Sequence, residues 1–311
     1  MAKTRVWIDC DVGADDAAAL LVAHKLEKLE IVGISAVAGN VPLAATYPNA
    51  RKICHLMQAD YPVYAGAASP LVRKQITAAH IHGADGLSGV ELPLPEQEKL
   101  ETLPAWDAIF QAATTYEGLE LIATGPLTNV AIALAKYPAL TQKLRRILIM
   151  GGAVVGGNRT PCAEFNIYAD PEAAESVFRS GVPIVMCGLD VTLKAYLTKA
   201  ELEKIAILGS AQAKTFAAVL QPPLERVLQD GWPGVPVHDL CPVLYAVYPE
   251  LFTARQAGVF VETEGSITLG KTVADLDSDK KFAHRHVNVA MDIDRLGFVE
   301  VVISALAKYS L

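Results

Sequence analysis

Apolar residues in this chain fall in short runs separated by longer segments of helical period. Runs of strand character at 4–8, 31–37, 62–65, 119–123, 146–150 and 183–187 alternate with helical patterns at 15–28, 43–59, 104–116, 128–136 and 171–180. Strand and helix repeating in that order predict parallel βαβ units, hence an α/β fold with an open, mostly parallel sheet flanked by helices. Further on the pattern is more helical, at 198–208, 211–229, 240–248 and 294–308, with strands near 258–263 and 286–292. Stretches containing Pro and Gly at 83–95 and 221–236 read as long loops rather than linkers, since periodic segments resume after each. Long loops in a compact domain are usually functional. The expectation is a single α/β domain over residues 1–311.

In open α/β sheets ligands bind beyond the carboxyl ends of strands, and the first strand ends in Asp9-Cys10-Asp11-Val12-Gly13-Ala14-Asp15-Asp16. Period-2 geometry places Asp9 and Asp11 on one side of the strand end. Gly13 permits a tight turn, and Asp15 and Asp16 open a helix that runs straight into the apolar stretch 17–23. A helix N-terminus favours each exposed anion by only ~0.3–1 kcal/mol. That does not hold four converging carboxylates ionised. Either some keep their protons as a coupled acid pair, or a hard divalent cation with oxygen ligands sits among them, and the second reading is preferred.

Composition narrows the partner. A net charge of −7 without a basic stripe argues against nucleic acid and for a small molecule. The most apolar stretch, 147–157, is too short and glycine-rich to span a membrane. Cys10, Cys54, Cys162, Cys187 and Cys241 are scattered and never spaced C-x-x-C. That suggests a reducing compartment without structural zinc. With no hydrophobic signal region ahead of the first strand, a cytoplasmic location is expected.

Other strand ends add polar groups. Ala38-Gly39-Asn40 follows the strand at 31–37, and Thr124-Gly125-Pro126-Leu127-Thr128-Asn129 follows 119–123. The Gly-Pro step leaves the Thr124 carbonyl free for a hard cation, while Thr128 reads as a helix cap. After 146–150 come Gly151-Gly152, Gly156-Gly157-Asn158 and Glu164-Phe165-Asn166, which lack any phosphate-loop pattern and offer one carboxylate and two amides suited to sugar hydroxyls. His238-Asp239 precedes a helical run, His80 and His82 sit in the earlier long loop, and His284 and His286 flank Arg285 on what reads as a solvated face. No serine lies in a G-x-S-x-G elbow, so covalent catalysis is not indicated.

Together these segments resemble the inosine-uridine-preferring nucleoside hydrolase family, whose opening motif is close to D-[TC]-D-P-G-x-D-D-A. The resemblance also covers Val37-Ala38-Gly39-Asn40-Val41, Ile81-His82-Gly83-Ala84-Asp85-Gly86-Leu87, Ala163-Glu164-Phe165-Asn166-Ile167, Asp170-Pro171-Glu172-Ala173-Ala174, Val237-His238-Asp239 and Thr272-Val273-Ala274-Asp275. It implies an α/β hydrolase, dimeric or tetrameric, that binds Ca²⁺ and cleaves the N-glycosidic bond of ribonucleosides. Carried over by position, Asp11, Asp16, the Thr124 carbonyl and Asp239 resemble calcium ligands, with Asp11 also the general base for a calcium-bound water. Asp15, Asn40 and Asn166 resemble the groups that hold the 2′- and 3′-hydroxyls, and Asn158 and Glu164 those that hold the 5′-hydroxyl. His238 resembles the acid that protonates the leaving base, and His82 lies in a loop that closes over it. The residue types suit such chemistry, since a carboxylate-rich pocket stabilises an oxocarbenium-like centre.

Two departures stand out. Val12 replaces the usual proline, and residues 221–232 lack the tyrosine and arginine pattern of some members. Arg226, Gln229 and Trp232 are candidates for contact with the base there, Trp232 by stacking. Two other readings compete: a haloacid dehalogenase-type Mg²⁺ phosphatase with Asp9 as nucleophile, and a non-catalytic calcium-dependent binder of nucleosides or ribose.

Overall fold

The computed structural model describes residues 3–95, 100–276 and 286–310. His284 and Arg285 therefore lie outside the described residues. The apolar runs form β1 (Thr4–Cys10), β2 (Leu29–Ala36), β3 (Val63–Ala65), β4 (Leu119–Ala123), β5 (Leu144–Met150) and β6 (Ile184–Cys187). Two short strands, β7 (Tyr196–Leu197) and β8 (Val235–Pro236), pair only with each other, and β9 (Phe252–Val261), β10 (Thr272–Asp275) and β11 (His286–Ile293) complete the main sheet. Its order is β10-β9-β11-β6-β5-β4-β1-β2-β3. From β3 to β11 every pairing is parallel, and β9 runs antiparallel to both neighbours. The expected mostly parallel sheet is present, with an antiparallel edge.

From β1 the chain builds outward through β2 and β3, then returns to lay β4, β5 and β6 on the other side. The order reverses between β1 and β4, and the crevice at such a switch point is where ligands bind. Alternating residues of the buried strands feed two cores. Val6, Ile8, Ile122 and Leu148 face one, and Trp7, Leu121, Ile147 and Ile149 the other.

Helix Ala14–Lys25 is buried over almost its whole circumference, with Ala17 to Ala23 all covered. Helices Leu43–Met57, Ala211–Gln229, Leu240–Val247 and Arg295–Ala307 pack around it. This explains an apolar run without a polar stripe. The expected loop at 221–236 is helical as far as Gln229, in spite of Pro222 and Pro223. An internal proline costs about 3 kcal/mol or more. Phe216, Val219, Leu220 and Leu224 of the same helix are wholly buried, each contributing roughly 1.5–3 kcal/mol, so packing offsets the local cost of the two prolines.

One charge lies inside the sheet. Glu120 on β4 is fully buried, with Arg146 Nη2 at 2.9 Å and Arg145 Nη1 at 3.5 Å. Neither contact is aligned as a hydrogen bond, so Coulomb attraction is what they supply. Arg146→Met is expected to cost about 3–5 kcal/mol, toward the lower end because Arg145 remains. An unchanged denaturation midpoint would show that Glu120 does not depend on this partner.

Candidate active site

At the crevice between β1 and β4 lies a cavity of 320 Å³. Its lining includes Asp15, Asn40, His82, Thr124, Asn158, Glu164, Asn166, Trp232, His238 and Asp239. Asp11 and Asp16 are buried. Arg226 is exposed and not part of the lining, to which its helix contributes Leu220, Pro223 and Val227.

The floor is built from strand ends. Asp11, just past β1, accepts a 2.6 Å hydrogen bond from the Asn40 backbone N–H through Oδ2. Its Oδ1 is buried with no partner. Gly39 and Gly125 press on this carboxylate from two sides, so closely that a Cβ at Gly39 would lie 2.0 Å from Oδ2. Asp16 caps its own helix by accepting from the Gly13 N–H at 2.9 Å, and it also accepts from Asn40 Nδ2 at 3.3 Å and from the Thr124 hydroxyl at 2.8 Å. Gly13 is extended, at φ −101°. It is glycine because a Cβ would strike Asn40 Nδ2 and His82 Nδ1, each at 2.7 Å, rather than because of a left-handed turn.

Oxygens of Asp15, Asp16 and Asp239 all fall within 4.8 Å of one another. Burial is the main force on Asp11, Asp16 and Asp239, with repulsion from neighbouring carboxylates behind it. It raises Asp16 to about 7 and pushes Asp11 and Asp239 well above the usual carboxylate range. Three buried acids with an orphaned oxygen suit a hard cation with oxygen ligands. The compact trio contains Asp15, which the resemblance gives to the ribose, while Asp11 stands beside it across Asn40. The Thr124 carbonyl accepts from Asn166 Nδ2 at 2.7 Å and keeps a second lone pair.

Asp9 is separate from this floor. Strand β1 ends at Cys10, so alternation does not bind Asp11 to the side of Asp9. The Asp9 carboxylate accepts from the Ser35 hydroxyl and from Asn129 Nδ2, and burial raises it to about 7. Neither of these partners lines the cavity, whereas Asp11 is joined to the lining through Asn40, so Asp9 serves the interior rather than acting as a nucleophile. Thr128, expected as a cap, instead donates to Asp170 at 2.7 Å.

A further wall of the cavity follows β5. Glu164 caps helix Phe165–Ala169 and accepts backbone N–H groups of Gly152, Asn166 and Ile167. Burial nonetheless lifts it to about 7. Asn158 Oδ1 accepts from the Phe165 N–H at 2.9 Å.

Three histidines, His80, His82 and His238, line the cavity. His82 Nδ1 accepts from the Ala14 N–H at 3.2 Å, so that nitrogen carries no proton. Its 3.8 Å approach to Asp15 Oδ1 is not an ion pair in this arrangement. His238 Nδ1 lies 2.8 Å from the Thr192 hydroxyl. Burial lowers the imidazoles of His82 and His238 below their usual range. Residue types alone did not single out Thr192, which sits in a short helix with no motif around it.

Carboxylates beneath a sugar-sized cavity, amides along one wall and histidines at its sides define a hydrolase for a small hydroxylated substrate. Residues 6–300 match the family described as inosine-uridine preferring nucleoside hydrolase, and the chain belongs to that family. It is an enzyme that hydrolyses the N-glycosidic bond of ribonucleosides. The pyrimidine-specific ribonucleoside hydrolase RihA of Salmonella enteritidis is 40% identical over 98% of this chain and 99% of its own. The RihA of Photobacterium profundum is 41% identical over the same shares. Among solved structures, the purine-preferring ribonucleoside hydrolase from Gardnerella vaginalis is 31% identical with a TM-score of 0.92, covering 99% of each chain. Among the described residues no helix is long and apolar enough to cross a membrane.

Proposed function

We propose that the chain, acting as one α/β domain, cleaves ribonucleosides with Asp11 as general base and His238 as the donor to the departing base. A calcium ion held by Asp11, Asp16, the Thr124 carbonyl and Asp239 completes the site. The observation that carries the reading is the buried, unpartnered Oδ1 of Asp11 beside the buried carboxylates of Asp16 and Asp239. Bound there, a divalent cation would orient a water and the ribose diol and make that water more acidic.

Asp11 then removes a proton at Oδ1. Asp15, Asn40 and Asn166 hold the 2′- and 3′-hydroxyls, while Asn158 and Glu164 hold the 5′-hydroxyl. The carboxylates stabilise positive charge as it grows on the ribose ring, and a proton from His238 Nε2 lets the base leave neutral. His82 and Trp232 close over the base, with Pro223 and Val227 beneath it and Arg226 as a charge at the rim. Full-length relatives named pyrimidine-specific make uridine and cytidine the first substrates to try. Nucleoside salvage, a cytoplasmic location, which the unpaired thiols suit, and a homodimer or homotetramer belong to the same reading.

The test is ribose release from uridine, cytidine, inosine and adenosine by untreated, chelator-stripped and calcium-restored protein, with p-nitrophenyl phosphate as control. Calcium-restorable release is expected, fastest from the pyrimidines. No release from any of the four would sink the reading. The stripped protein should also lose thermal stability as pH rises from about 5 to 8. Asp9 and Asp16 are raised to about 7 when folded, against about 4 unfolded. The folded state therefore binds more protons in that window, and raising the pH removes that advantage. Calcium should remove the Asp16 share of this slope and leave that of Asp9. A stripped protein that gained stability with pH would contradict it.

A further inference from the structure

We propose that Thr192 positions His238 as the proton donor, fixing the imidazole through Nδ1 so that Nε2 is the nitrogen presented to the departing base. This rests on the reading of His238 as the leaving-group acid. Thr192 is fully buried, at the end of the short helix Leu189–Thr192 that follows β6. Its hydroxyl lies 2.8 Å from His238 Nδ1. Among the described residues no other partner of that hydroxyl or of that ring occurs.

The segments carrying the two residues are zipped together. Tyr196 pairs with Pro236 and Leu197 with Val235 across β7 and β8, and the Val237 N–H donates to the Ala195 carbonyl at 2.9 Å. Gly234 is seated so tightly on this ribbon that a Cβ would lie 2.3 Å from the Leu197 carbonyl oxygen. The ribbon sets the separation of Thr192 and His238, and the hydroxyl sets the rotation of the ring. A hydroxyl suits this place because it both donates and accepts. It can accept from a protonated Nδ1, so the ring keeps its orientation both as the imidazolium that gives up its Nε2 proton and as the neutral Nδ1–H ring that remains. His82 lacks that latitude, since the Ala14 N–H opposite it only donates.

The test compares two substrates, a nucleoside whose base leaves protonated and 4-nitrophenyl riboside, whose phenolate leaves as the anion. His238→Ala is expected to lower kcat on the nucleoside by about 10²–10⁴-fold, the usual range for a lost general acid, while leaving the nitrophenyl riboside nearly untouched. Thr192→Val should lower nucleoside kcat about 10–100-fold with little change in KM, spare the nitrophenyl riboside, and be rescued by Thr192→Ser. If Thr192→Val does not fold, Thr192→Cys, which keeps the volume but bonds weakly, is read in the same way. Equal losses on both substrates, or none, in the Thr192 variants while His238→Ala still discriminates would overturn the positioning role alone. Failure of His238→Ala to discriminate would overturn the acid assignment and this inference with it.

Discussion

Asp11→Ala is expected to reduce ribose release from every nucleoside by about 10⁴-fold, the upper end for loss of a general base, because one carboxylate serves as both base and metal ligand. The surroundings of Asp11 are shaped for that group. Asn40 fixes Oδ2 at 2.6 Å, Gly39 and Gly125 leave room for nothing larger, and Oδ1 is left without a protein partner. Burial works against its ionised form, so without a cation the group keeps a proton and is no base. Nucleoside binding should partly survive in Asp11→Ala, since Asp15, Asn166 and the Glu164 wall remain. Single-turnover ribose release together with equilibrium nucleoside binding separates the two effects. Retained turnover would remove Asp11 as the base. In the metal-free protein, Asp11→Asn should raise the melting midpoint, because an amide needs no proton taken up on folding to be buried there.

Gly39→Ala should come next in severity although it deletes no functional group. Its Cβ would lie 2.0 Å from Asp11 Oδ2 and 2.7 Å from Pro126 Cδ. Turning Asp11 away would break the 2.6 Å hydrogen bond that Oδ2 accepts from the Asn40 N–H. The carboxylate must shift, and a displacement of about 1 Å at a reacting group can cost about 10²-fold in rate. Calcium affinity should weaken as well, by about 10–100-fold, as when supporting residues of a metal site are lost. A calcium titration of activity would show a raised half-saturation and a lowered plateau. Wild-type values of both would mean that the backbone at Gly39 yields freely.

Much of this was legible in the sequence for physical reasons. β4 and helices Thr128–Lys136 and Ala211–Gln229 fall at the residues their periodicity marks, since buried strands read as unbroken apolar runs and amphipathic helices repeat at 3.6 residues. Short pieces were not legible. Helix Leu189–Thr192 and strands β7 and β8 are two to four residues long, too few for any period to show. β9 begins at Phe252, earlier than its apolar part, because exposed Thr253, Arg255 and Gln256 carry the alternation of an edge. In the site, the aspartates announced themselves by density of charge. Thr192 did not, because its role comes only from what the β7–β8 ribbon brings near it. Asp9 belonged to the same dense motif, yet Ser35 and Asn129, distant in sequence, claim it for the interior.

Helix Ala14–Lys25 sets the floor of the site into the best-protected layer of the protein, wrapped by four other helices, whereas Trp232 and Ile81 at the mouth are exposed. Amides in that helix should exchange with solvent only through the largest opening events, and those of the mouth through small local ones. Substitutions at the mouth can therefore accumulate with little threat to folding, while the floor tolerates almost none. Such a division lets a lineage retune which base it accepts and leave its ribose chemistry unaltered.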